Sequence, residues 1–263
     1  MVEILVTNDD GILSVGIQVL ADALKQLGNV TIVAPSQEQS STGHSLTLHK
    51  PIRLEKVKPG YYHINGTPPD CVLIATKKLF PRKKPDLVVS GINRGPNLGN
   101  DIHYSGTVAA AREATFLKLP AMAVSLDYGH GPRAPNFEGA AQYALKIAQK
   151  ILKRGLPKQV LLNVNVPDVP LKNIHGIRVC KTGFRYYEGR LIEQKDPRGK
   201  NYYWLSGKYL GYEKSILGSD CHAVDQGYVS VTPLHIDASH APTMTRLQKW
   251  NFKKVHETVQ KSI

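Results

Sequence analysis

Cysteine is scarce in this chain: Cys71, Cys180 and Cys221 are the three among 263 residues, widely spaced and with no C-x-x-C pair. An odd, scattered set excludes a disulfide framework and a thiolate zinc site, and it fits a reducing compartment. No window reaches the uninterrupted apolar length of a membrane span. The start, Met1-Val2-Glu3-Ile4, enters a strand-like segment without the basic region and apolar stretch of a secretory signal. A cytoplasmic protein without a membrane partner is therefore expected. There is no G-x-x-x-x-G-K-[ST] and no G-x-G-x-x-G after the first strand, which argues against a P-loop and a dinucleotide cofactor. Acidic residues are also in deficit, 21 against 34 Lys and Arg, for a formal net charge of +13. That balance favours anionic partners, among them nucleotides, polyphosphate and nucleic acid, without choosing between them.

What is present is a series of short runs rich in Val, Ile and Leu: Ile4–Thr7, Val30–Ala34, Asp86–Ser90, Ala121–Leu126, Val160–Val166 and Tyr228–Thr232. They read as strands buried on both faces. Helical patterns lie between them. Gly16–Leu27 places Ile17, Leu20, Ala21, Leu24 and Leu27 on one face, Gly106–Leu117 is alanine-rich with Ser105 or Thr107 as a cap, and Asn136–Leu152 is a third helix. This alternation predicts a Rossmann-like three-layer α/β/α sandwich with a mainly parallel sheet. After about Cys180 the chain becomes aromatic and charged. Arg185–Glu193 and Tyr202–Leu205 read as the two sides of a long hairpin around Asp196-Pro197-Arg198-Gly199. A short helix is expected over about 244–255. With no repeat or linker, residues 1–263 read as one domain, with a catalytic core over about 1–180 and an arm and C-terminal elements over about 181–263.

In a parallel sheet, ligands bind beyond the carboxyl ends of the strands. Three polar clusters follow such ends: Asn8-Asp9-Asp10-Gly11, the loop Ser36–Ser45 containing Ser40, and Asn93-Arg94-Gly95-Pro96-Asn97. The fold class predicts that they meet. Adjacent carboxylates at Asp9 and Asp10 repel unless compensated, most simply by a divalent cation. Asp, Asn and Ser oxygens make an all-oxygen shell suited to Mg²⁺, Mn²⁺ or Ca²⁺. Taken alone, Asp-Asp-Gly is equally a turn with a helix cap. Gly91, Gly95 and Gly99 offer accessible amides for an anion, or they serve only to reverse the chain. Ser105-Gly106-Thr107 opens a helix whose N-terminus suits a phosphate.

At these residues the sequence resembles the survival protein E (SurE) family of nucleotidases. The matching segments are Ile4–Gly11, the Ala34-Pro35 to Ser40 loop with Ser45–Leu48, Gly66–Val72, Val89–Asn93 with Gly95–Gly99, Tyr104–Val108 and Gly227–Leu234. The resemblance implies a metal-dependent 5′-nucleotidase acting on nucleoside 5′-monophosphates, with 3′-monophosphates and short polyphosphate as further substrates in some members. It implies one divalent ion per subunit held by Asp9, Asp10, Ser40 and Asn93, with Asp9 and Asp10 also catalytic. Asn97, Ser105, Gly106 and Thr107 fall near the phosphate, and the C-terminal arm builds a homodimer or homotetramer.

The expected chemistry is in-line attack by an activated water, with Asp9 or Asp10 accepting its proton and His44 or His103 considered as the acid for the leaving oxygen. For both histidines a structural role is the alternative. An aspartyl-phosphate route of the haloacid dehalogenase type uses Asp-x-Asp, whereas these aspartates are adjacent and diverge on an extended chain. A non-enzymatic alternative is a nucleotide- or RNA-binding stress module stacking bases on Tyr186, Tyr187, Tyr202, Tyr203 and Trp204. Burial of those aromatics at a subunit interface is the reading favoured over it.

Overall fold

The computed structural model describes residues 1–129 and 134–250. Its strands, in chain order, are β1 (Glu3–Thr7), β2 (Asn29–Pro35), β3 (Leu54–Lys58), β4 (Tyr61–Ile64), β5 (Leu87–Arg94), β6 (Ala121–Asp127), β7 (Val160–Pro167) and β8 (Ile177–Val179). Then come β9 (Arg185–Tyr187), β10 (Arg190–Lys195), β11 (Asn201–Ser206), β12 (Tyr209–Tyr212) and β13 (Val229–His235). The α-helices are α1 (Val15–Leu24), α2 (Pro68–Lys78), α3 (Gly106–Phe116), α4 (Phe137–Arg154), α5 (Asp220–Asp225) and α6 (Ala241–Gln248).

The main sheet runs β3-β4-β2-β1-β5-β6-β7-β13-β8. Strands β4, β2, β1, β5, β6 and β7 are mutually parallel, so the chain winds outward from the centre in both directions. That is the Rossmann order expected from sequence, and the winding reverses between β1 and β5. The antiparallel edges were not foreseen: β3 pairs back on β4, and β13 runs antiparallel to β7.

Side-chain alternation sorts the core into two layers. Ile4, Val6, Ile32, Val89 and Val124 face α1 and α4, while Leu5, Val33, Val88, Ala123 and Leu161 face α2 and α3. Burying each such Ile, Leu or Val contributes about 1.5–3 kcal/mol. Helix α1 buries Ile17, Leu20, Ala21 and Leu24, four of the five residues expected, but ends before Leu27. Helix α2, not recognised from sequence, starts with a reciprocal cap in which Thr67 accepts from the Asp70 amide and Asp70 accepts from the Thr67 amide.

Two expectations are corrected in their bounds. β5 does not stop at Ser90 but continues through Asn93 to Arg94, with an irregular register against β6 between Ser90 and Asn93. Gly91 makes this possible: its φ is +140°, and a Cβ there would lie 2.3 Å from the Val124 carbonyl oxygen. The last helix begins at Ala241, and residues 251–255 of the expected span lie outside the described residues.

The arm is a two-stage hairpin. Its base pairs β9 with β12 and its tip pairs β10 with β11, around a turn in which Asp196 Oδ1 accepts from the amides of Arg198 and Lys200. Every residue of β11 is exposed. Among the described residues no helix is long and apolar enough to cross a membrane.

Candidate active site

A cleft of about 930 Å³ opens beyond the carboxyl ends of β1 and β5, where the winding reverses. Asp9, Asp10, Ser40, Asn93, Asn97 and Ser105 all line it. The three polar clusters therefore meet, as the fold class predicts.

The first loop is shaped by its own side chains. Asn8 Nδ2 donates to the Gly11 carbonyl at 3.0 Å and to Ser14 Oγ at 2.7 Å. The second loop docks onto it through the Gln39 amide, which donates to the Asp9 carbonyl at 2.8 Å and carries Ser40 to the rim. Ser40 Oγ donates to Glu38, itself a cleft residue, at 2.5 Å.

Asp9 is buried and held by helix α3. Both the hydroxyl and the amide of Thr107 donate to its carboxylate, the amide at 3.0 Å. Asp10 is more open, and its Oδ2 accepts from the Arg94 amide at 3.3 Å. Burial raises the Asp9 carboxyl above its ordinary range against the opposing Thr107 hydrogen bonds. The Asp10 carboxyl is pushed up to about 7, first by burial and then by the charge of Asp9. Two carboxyls with suppressed ionisation on one wall are what a cation would relieve.

The rest of the donor set fits a cation too. Asn93 Nδ2 donates to the Gly95 carbonyl at 2.9 Å, which turns the amide nitrogen away and leaves its oxygen as the end available. Among the described residues no group of three or more His, Cys, Asp and Glu has the arrangement of a metal site, so any cation here relies on neutral oxygens beside the aspartates.

Asn97 is fixed from below. On the sheet face beneath α3 the strand pattern passes from Ala123 to Ser125 and from Leu161 to Asn163 and Asn165. Asn97 Nδ2 donates to Ser125 Oγ at 2.8 Å, its amide donates to Asn165 Oδ1 at 2.8 Å, and its carbonyl accepts from both asparagine side chains. These buried polar residues interrupt runs that otherwise read as wholly apolar.

The glycine loop is not an open nest. The Gly95 amide donates to the Leu126 carbonyl at 3.0 Å and the Gly99 amide to Asp220 Oδ2 at 3.0 Å. Buried amides must be paired, and here the fold itself pairs them. The donors left for an anion belong to helix α3. Asp9 takes the Thr107 amide and Ser105 Oγ takes that of Val108, so Gly106 is the helix-start amide claimed by neither. Gly106 and Thr107 are buried and do not line the cleft.

Residues 4–189, which include Asp9, Asp10, Ser40, Asn93, Asn97 and Ser105, match the family model of survival protein SurE. The chain belongs to the SurE family. It is 48% identical over 249 residues to a protein of Geobacter sulfurreducens named 5′-nucleotidase SurE, covering 94% of this chain and 93% of that one. A Geobacter metallireducens protein of the same name is 46% identical, with 96% and 99% covered. The crystal structure of the SurE protein from Aquifex aeolicus superposes with a TM-score of 0.82 at 42% identity, covering 95% of this chain and 100% of that one.

Against this SurE frame, His44 and His103 are not brought to the cleft. His44 Nε2 lies 2.8 Å from the carboxylate of Glu113, and its ring stacks beside Phe116 at 5.4 Å, so it fastens the Ser40 loop to α3. His103 is exposed and does not line the cleft. Sequence reasoning missed Glu38, Asp220 and Asp101. Asp220 is buried and accepts from the amides of Gly99, Gly183 and Cys221, tying the glycine loop to the root of the arm. Its signal was Ser219-Asp220, a helix-start pair. Asp101 accepts from Arg185 at 2.5 Å and from the Tyr187 hydroxyl at 2.7 Å, so the arm's base forms part of the cleft wall.

Proposed function

We propose that this SurE-family protein is a 5′-nucleotidase, a divalent-cation-dependent phosphomonoesterase that converts nucleoside 5′-monophosphates to nucleoside and phosphate. The observation that carries the reading is the convergence of the adjacent carboxylates Asp9 and Asp10 with Ser40 and Asn93 in one cleft, beside Ser105 at the N-terminus of α3. Names borne by the Geobacter relatives support it.

Asp9, Asp10, Ser40 and Asn93 would hold one Mg²⁺ or Mn²⁺ ion, with Ca²⁺ as another occupant, through oxygens alone. Such an ion supplies Lewis acidity to the phosphoryl group and to the attacking water. Asp9 is the fixed carboxylate, since both its oxygens accept from Thr107. Asp10 accepts one hydrogen bond, from the Arg94 amide, and is therefore the carboxylate with capacity left to accept the proton of water. Ser105, Asn97 and the Gly106 amide receive the phosphate oxygens, the helix dipole adding to their hydrogen bonds. Thr107 acts through Asp9. The same site would accept 3′-monophosphates and short polyphosphate, which present the same terminal phosphate.

The arm, apolar and exposed along β11, would join subunits into a dimer or tetramer. The whole chain then works as one unit, with its core holding the site.

A phosphate-release screen of nucleoside monophosphates with Mg²⁺, Mn²⁺ and Ca²⁺ tests this. Release should require metal, stop in EDTA and be abolished in Asp9→Asn and Asp10→Asn. Metal-independent release would refute the cation assignment. Salt-dependent RNA binding with no phosphate released from any nucleotide would instead favour a binding module.

A further inference from the structure

The cleft is far larger than a phosphate needs and lies in the range that encloses a whole small ligand. In the proposed reading its phosphate-binding end is set by Asn97 and Ser105, beside the cation held by Asp9 and Asp10. A nucleoside attached to that phosphate must therefore extend along the cleft toward its rim. Three aromatic residues line the cleft: Tyr104, Phe137 and Tyr187.

Two of the three are committed to the fold. Phe137 is 8% exposed and belongs to the core between α1 and α4. Tyr187 gives its hydroxyl to Asp101 at 2.7 Å, and its ring lies 5.7 Å from that of Tyr209. Tyr104 differs. Its side chain is 68% exposed, though it directly precedes the helix-capping Ser105. Its backbone is pinned on both sides, the amide donating to the Asp101 carbonyl at 3.0 Å and the carbonyl accepting from the Gly43 amide at 3.1 Å. A large ring on a fixed root, left open to solvent inside a cleft, is a platform without its partner.

We propose that Tyr104 is the surface on which the nucleobase of the substrate stacks. This rests on the nucleotidase reading and adds to it the residue that recognises the base. Every base has a π face, so stacking tolerates all of them. The residue thus separates nucleotides from other phosphate monoesters without choosing strongly among nucleotides.

The test compares AMP with ribose 5-phosphate, which keeps the sugar and phosphate and lacks the base, using the Mn²⁺-loaded full-length protein. Tyr104→Ala should raise KM for AMP on the order of tenfold, with kcat and the KM for ribose 5-phosphate changed by less than about twofold. Tyr104→Leu, which keeps apolar bulk without a π face, should behave like the alanine variant, and Tyr104→Phe like the wild type. Thermal melts of each variant verify that the fold is kept. Equal losses on both substrates, or an unchanged KM for AMP, would overturn the assignment while leaving the nucleotidase reading intact. Absence of phosphate release from every nucleotide by the wild type would overturn both.

Discussion

Thr107 donates its hydroxyl to one carboxylate oxygen of Asp9 and its amide, at 3.0 Å, to the other. The carboxylate is thereby held in one orientation before any ligand arrives. Partners that orient a ligand-bearing carboxylate in this way commonly govern affinity by about 10–100-fold. Thr107→Val removes the hydroxyl at nearly constant volume and should weaken Mn²⁺ binding by roughly tenfold or more. Thr107→Ser should restore it. Titration calorimetry on the metal-free protein measures both.

The raised carboxyl of Asp10 gives metal binding a pH dependence. Its pKa of about 7 in the folded, metal-free chain exceeds the value of about 3.9 for an unperturbed Asp. The folded state thus holds this proton more tightly than the unfolded one. Through this group the metal-free fold is stabilised as pH falls through 7 and loses that stabilisation as pH rises. A cation needs the ionised form, so protons compete with it. The rise in Tm produced by Mn²⁺ should be larger at about pH 8 than at about pH 6, and Asp10→Asn should flatten the difference.

Gly106 lets α3 approach Asp9. A Cβ at this position would sit 2.9 Å from Asp9 Cβ, 3.0 Å from its Oδ2 and 3.2 Å from Pro68 Cγ. Gly106→Ala must displace the carboxylate, the helix start or both. Turnover should fall by about a hundredfold, the usual consequence of a displacement of about 1 Å in a catalytic group, while circular dichroism shows the fold retained.

Asp220 satisfies three amides, those of Gly99 and Cys221 buried and that of Gly183 half-buried. Asp220→Ala leaves them unpaired, at about 1–3 kcal/mol for each donor that water cannot reach. A loss of about 3 kcal/mol in urea unfolding is expected. Phosphate release should fall with it, because the Gly99 loop then loses its tie to the root of the arm.

The tip of the arm carries Trp204 at 61% and Leu205 at 90% exposure, with no core of its own beneath them. If the arm joins subunits as proposed, Leu205→Glu, Trp204→Glu and the double variant should leave the melting of the core nearly unchanged and give a species of smaller mass than the wild type. Light scattering coupled to size exclusion reads the mass directly. An unchanged mass for the double variant would remove the arm from the interface.

The amino-acid sequence by itself determined the layers. Short Val-, Ile- and Leu-rich runs separated by helical patterns admit little besides a parallel sheet covered on both faces, since such strands cannot face water. It also placed Asp9, Asp10, Ser40, Asn93 and Asn97 in polar clusters after strand ends and Ser105 at a helix start, while the resemblance to the SurE family singled these residues out of their clusters. Edges and lengths were harder. The hairpin of β3 and β4 has a mostly exposed first strand, so it carries no apolar run to detect. β5 extends beyond Ser90 because Gly91 adopts a backbone that no neighbouring residue announces. Only the tertiary structure decided how the site is held. The amides of Gly95 and Gly99 were available in principle to an anion, but a carbonyl from β6 and a carboxylate 121 residues away in sequence take them. Thr107 reads locally as a helix-start residue like Ser105, yet its donors go to Asp9, 98 residues earlier. Local pattern reports which groups must be buried or capped. Which distant group satisfies each buried donor is settled only when the chain closes on itself.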